Sequence, residues 1–98
     1  MKKEVILINK ETAKVLKFIL DNASRIQALS FNGEIKIHPT VKCGLTAVHD
    51  WAIDRLCQRS FRRSDLHKAL ALLELLYTVY CPDFYQDWRK EFLTFPEC

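Results

Sequence analysis

Cysteine and histidine have the widest chemical range in this chain, and their spacing decides what they can do. The cysteines are Cys43, Cys57, Cys81 and Cys98; the histidines are His38, His49 and His67. A structural zinc site usually takes ligands in close pairs, C-x2-4-C or H-x3-5-H, because a tight turn presents both to one ion. No cysteine here has another within four positions. His49 and Cys57 fall on one predicted helix but stand eight positions apart, about 12 Å along its axis and too far for a shared metal. The thiols therefore read as small reduced hydrophobes, and no metal or cofactor is expected.

Acid–base and nucleophilic chemistry fare no better. His38, the pair His49-Asp50 and Asp83 loosely resemble the His…His-Asp…Asp order of the HD phosphohydrolases. That family would imply a larger all-helical domain with metal ligands drawn from several helices. This chain is short and His38 is expected in a strand, so the likeness stops at the order of residues. His49 reads as a partly buried histidine beside Ile53, and Asp50 as a surface carboxylate. Ser60 and Ser64 sit in no G-x-S-x-G elbow, and Ser64 is better placed as a helix cap. The two glycines, Gly33 and Gly44, are too far apart for a phosphate-cradling loop. No catalytic signature emerges, and a non-enzymatic role is expected.

A basic cluster does stand out. Arg55, Arg59, Arg62, Arg63 and Lys68 fall within fourteen residues, opposed inside that window only by Asp65. Arginine forks match carboxylates and phosphates, and Trp51, one turn before Arg55, supplies an aromatic anchor or a stacking partner. Trp51, Arg55, Arg59, Arg62 and Arg63 are the candidate partner-binding residues; a plain solvated face explains the charges equally well. Two helices flanking residues 58–64 suggest a DNA-reading helix-turn-helix. However, the second would need a polar face for base edges, and Asp65–Tyr80 is apolar over most of its girth. Lys10, Lys14 and Lys17 form a stripe that a solvent-exposed face accounts for.

The elements that must carry these residues can be read from periodicity. Lys3–Ile8 is β-branched and continuous, as in a strand covered on both faces. Asn9 caps a helix over about 10–23, whose apolar arc of roughly 220° exceeds what one packing face requires. Arg25–Phe31 and Glu34–His38 flank Asn32-Gly33, a hairpin signal because the turn needs positive φ; two-residue and bulged turns give different registers. Pro39 ends the second strand. A helix is expected over about 44–59 and a connector over 58–63. A second helix, capped by Ser64, runs to Tyr80 with another arc of roughly 220°. A last helix is capped by Asp83, with Gln86 completing a capping box. Its aromatic face is Phe84, Tyr85, Trp88, Phe92 and Phe95. The expected fold is α+β: the N-terminal strand and the Asn-Gly hairpin form a small antiparallel-containing sheet on a three-helix C-terminal half, in the order β-α-β-β-α-α-α. A helical bundle carrying one hairpin is the alternative.

The counts bound the rest. At 98 residues the chain is one domain spanning 1–98, with room for one core and no deep interdomain cleft. A hydrophobic fraction of 49% with two Gly and three Pro excludes disorder and low complexity. The apolar runs are too short for a membrane span, and the start lacks the apolar stretch of a secretory leader. A cytoplasmic protein is expected. The net charge of +3 is too small to name a partner, although residues 1–42 hold eight Lys/Arg against four Asp/Glu.

The functional expectation is a protein-binding module. It would be a small inhibitor or adaptor of the kind encoded by phages and other mobile elements, by analogy, and it would act by occluding a partner with an acidic surface. Its two over-apolar helices suggest a homodimer or another interface. The alternative is a nucleic-acid-binding regulator with the Arg55–Arg63 cluster on phosphates.

Overall fold

The computed structural model describes residues 5–93, with side chains from Leu7 onward. Its elements are β1 (Val5–Leu7), α1 (Lys10–Phe31), α2 (Pro39–Gln58), β2 (Ser60–Arg62), α3 (Arg63–Tyr80) and α4 (Pro82–Phe92). The fold is helical, not α+β. The only strand pairing among the described residues is an antiparallel ribbon that matches Val5 to Arg62, Ile6 to Phe61 and Leu7 to Ser60. No hairpin is present around Asn32-Gly33. Leu7 is exposed, so β1 is not covered on both faces. Lys3, expected to open that strand, and Phe95 and Cys98 lie outside the described residues.

The hairpin fails because the helix runs through it. Val15, Ile19, Ala23 and Ile26 are buried at helical spacing, and Arg25, Gln27, Ala28 and Leu29 are good helix formers. The Asn-Gly pair then ends α1. Gly33, at φ +80°, donates its N–H to the Ser30 carbonyl at 3.1 Å, and Glu34 donates to Leu29 at 2.9 Å. These are the two bonds of a Schellman cap. A hairpin turn and a helix C-terminus both need positive φ at glycine, so the dipeptide alone does not tell them apart.

Prolines set two other boundaries. Pro39 opens α2 instead of ending a strand: it occupies the first turn, where its missing N–H costs nothing. His38 caps it, with Nδ1 accepting from the Thr40 N–H at 3.2 Å. Likewise α4 begins at Pro82, so Asp83 falls inside its first turn and no capping box forms with Gln86. Cys81 stands at the corner between α3 and α4 without a side-chain cap, held out of helical geometry by the proline that follows. Ser64 is not a cap either. The ribbon keeps Ser60–Arg62 extended, and the helix starts at Arg63 as soon as the ribbon ends. Asn9 does cap α1: its Oδ1 accepts from Thr12 N–H at 2.9 Å while Thr12 Oγ1 accepts from the Asn9 N–H at 2.8 Å.

The core lies where α1 packs on α2 and α3, and α3 on α4. Trp88 centres its aromatic end, with ring centroids 5.3 Å from Phe92, 5.5 Å from Tyr77 and 6.4 Å from Phe18. The apolar girth of α1 is absorbed within the chain: Val15, Leu16, Phe18 and Ile19 are all buried. Its one large exposed apolar residue is Phe31, at the far end. In α3, by contrast, Leu75 is 49% and Val79 58% exposed.

Candidate functional site

Helix α2 ends at Arg59, which adopts left-handed geometry at φ 66°. Its N–H donates to the Arg55 carbonyl at 2.9 Å, and its own carbonyl accepts from Ile8 N–H at 3.0 Å. One residue thus stops the helix and joins the ribbon. Two residues on, Phe61 points into the core, buried, and Arg62 faces out. Antiparallel pairing to β1 holds this short link straight, so that the end of α2 and the start of α3 stand side by side.

Between them lies a shallow depression of about 270 Å³, lined by Trp51, Asp54, Arg55, Arg62 and Asp65. Of the five residues expected from sequence, the structure brings three into this lining. Arg59 and Arg63 lie outside it, Arg59 exposed and Arg63 half-buried as the first residue of α3. Two carboxylates complete the lining. Arg55 Nη2 is 2.6 Å from Asp54 Oδ2, and Arg62 Nε is 3.3 Å from Asp65 Oδ2. Asp65 was visible as a local counter-charge. Asp54 lies one residue outside the basic window, and the end of α2 brings it to Arg55.

The arginines differ in what they have left to offer. Arg55 donates through Nη1 to the Ser60 carbonyl at 3.3 Å, which ties α2 to β2. Its Nε is buried and has no acceptor among the described residues. Arg55 therefore does much of the positioning. Among the described residues Arg62 pairs only through Nε, with Asp65, and it is exposed, leaving its outer fork for another group. An ion pair at so exposed an arginine contributes little stability, so an incoming carboxylate can compete for Arg62 at small cost.

A second constellation spans α1 and α2. His49 Nε2 lies 3.1 Å from Ser24 Oγ, and Nδ1 lies 3.6 Å from Asp50 Oδ1. Hydroxyl, imidazole and carboxylate stand in a row, as nucleophilic catalysis would need. Two features weigh against that chemistry. The His–Asp separation is too long for a hydrogen bond. Ser24 also sits inside α1, where neighbouring backbone N–H groups are spent on helical bonds and cannot stabilise an oxyanion. The pair acts as a tether between helices. His38 and Asp83 lie at the starts of α2 and α4. Cys43 and Cys57 are exposed and unpaired thiols, while Cys81 is buried, which pushes its pKa up. Among the described residues no three His, Cys, Asp or Glu side chains gather as metal ligands, and no described helix is long and apolar enough to cross a membrane.

Compared with known proteins, the chain matches no family model, no curated protein and no solved structure.

Proposed function

We propose that this chain is a protein-binding module, an inhibitor or adaptor working in the cytoplasm with reduced thiols, and that it covers an acidic surface of its partner. The observation that carries this reading is the half-exposed Trp51 lining one depression together with Arg55 and Arg62. Aromatic rings and arginines are the residue types that dominate protein interfaces. The size of the depression points the same way. At about 270 Å³ it falls below the roughly 300–1,000 Å³ of small-molecule and cofactor sites, and it suits a single anchoring side chain.

The charge balance favours a protein over a nucleic acid. Each lining arginine already faces a carboxylate, which leaves too little net positive charge for a run of phosphates, whereas a single partner carboxylate can exchange with Asp65 on Arg62. The test is a comparison of the wild-type chain with Arg62→Glu as bait in its native cell, read by mass spectrometry. A partner held by the wild type and lost by Arg62→Glu is expected. Capture of the same proteins by both would overturn the reading, and so would steeply salt-dependent binding of DNA or RNA by the wild type.

A further inference from the structure

We propose that the element docking at the Trp51 depression is one end of an amphipathic helix of the partner, and that the rest of this helix lies along α3 over Leu72, Leu75 and Val79. This rests on the protein-binding reading above and specifies what docks.

Asp65, Lys68, Leu72, Leu75 and Val79 follow one another at alternating three- and four-residue steps. Such steps keep side chains on one face of a helix. The core face of α3 is a different stripe: Leu66, Ala69, Leu73, Leu76 and Tyr77, all buried. The second stripe begins at Asp65, inside the depression, and ends on apolar side chains that are about half exposed, Leu75 at 49% and Val79 at 58%. At Leu72 it borders α2, where a Cβ placed on Gly44 would lie 3.5 Å from Leu72 Cδ2. Because Asp65 belongs to both, depression and apolar stripe lie along one face of α3, about 21 Å long at 1.5 Å per residue.

A seam with heptad steps accepts the side chains of another helix. Charge sets the sequence of the occupant. Carboxylates belong at the end that meets Arg62 and Lys68, and apolar residues at the end that meets Leu75 and Val79. The same stripe of a second copy does not match this one in register. Antiparallel stripes would set Asp65 and Lys68 against Val79 and Leu75, and parallel stripes would set Lys68 against Lys68.

The test titrates the full chain with a synthetic heptad peptide of about 16 residues, leucines on its seam and glutamates at one end, alongside its scrambled counterpart. The heptad peptide is expected to bind and the scrambled one not. Leu75→Asp and Val79→Asp should each weaken binding about ten-fold or more, while Leu93→Asp, at an exposed apolar residue off the seam, should leave it unchanged. Equal behaviour of the two peptides overturns the inference. Loss with Arg62→Glu but not with Leu75→Asp or Val79→Asp would leave the docking reading standing and remove the helix from the seam. Insensitivity to all three would remove both. A chain that self-associates and becomes monomeric with Leu75→Asp would put a second copy in place of the partner helix.

Discussion

The phenol of Tyr77 donates to Asn22 Oδ1 across 2.5 Å, joining α3 to α1 inside the aromatic core, and Asn22 Nδ2 in turn donates to the Phe18 carbonyl at 2.8 Å. Both side chains are buried, so the carboxamide oxygen depends on this hydroxyl. Tyr77→Phe keeps the ring and its stacking on Trp88 but strands that oxygen. A loss of about 1–3 kcal/mol is expected, read as a lower urea midpoint with an unchanged slope. A midpoint equal to the wild type would mean that Asn22 finds another donor.

The same phenol sets an alkaline limit. Burial raises its pKa from 10.0 to about 12, against the opposing pull of the Arg25 charge. Because the folded value is the higher one, the unfolded chain gives up the proton first. The contribution is whole below pH 10 and is lost as pH rises towards about 12. Over that window stability should fall by roughly 2 kcal/mol from this group, and the decline should be shallower in Tyr77→Phe. Parallel profiles for the two proteins would remove Tyr77 as the cause.

One substitution at the two glycines should act in opposite directions. Gly33 caps α1 at φ +80°, where a Cβ is strained, and Gly33→Ala should cost about 1 kcal/mol. Gly44 lies inside α2, and its added Cβ would make ordinary contact with Leu72 at 3.5 Å. Gly44→Ala should therefore add about 0.5–1 kcal/mol through helix propensity and a less flexible unfolded chain. Thermal melts of both variants check this; shifts of the same sign would contradict the assigned backbone geometry.

These glycines also show why some of the fold was legible in the sequence and some was not. Local signals with one meaning read correctly: Asn9 caps α1, and the long apolar period up to Tyr80 followed by Pro82 marks α3 and its end. Signals with two meanings misled. Asn32-Gly33 serves a hairpin or a helix C-terminus, and Pro39 stops a strand or starts a helix; the choice is made by what packs beside them. Ile26 decides it here, buried on the same face as Ile19 and Ala23, a tertiary fact that alternation over a few residues hides. Ser64 and Asp83 have the chemistry of caps, but each lies inside a helix whose start is set earlier, by the ribbon in one case and Pro82 in the other. At the candidate site the arginines and Trp51 were visible as a cluster. Their pairing with Asp54 was not, because that depends on how α2 ends. Nor was the split of α3 into a buried stripe and an open one, since both are apolar and only neighbouring helices distinguish them.

Arg59 offers the sharpest separation of folding from binding. It is the one described non-glycine residue with positive φ, at 66°, a geometry that costs an ordinary side chain about 1–2 kcal/mol. Arg59→Gly keeps the two backbone hydrogen bonds that end α2 and start the ribbon and relieves that strain. A net gain of about 0.5–1 kcal/mol is expected after the greater flexibility of glycine in the unfolded chain is counted, which raises the melting temperature by a few degrees in a domain of this size. A lower melting temperature would show that the Arg59 side chain itself holds the turn. If the variant melts higher and binds the captured partner more weakly, the arginine serves the docking face at the expense of the fold; unchanged binding would take Arg59 out of that face.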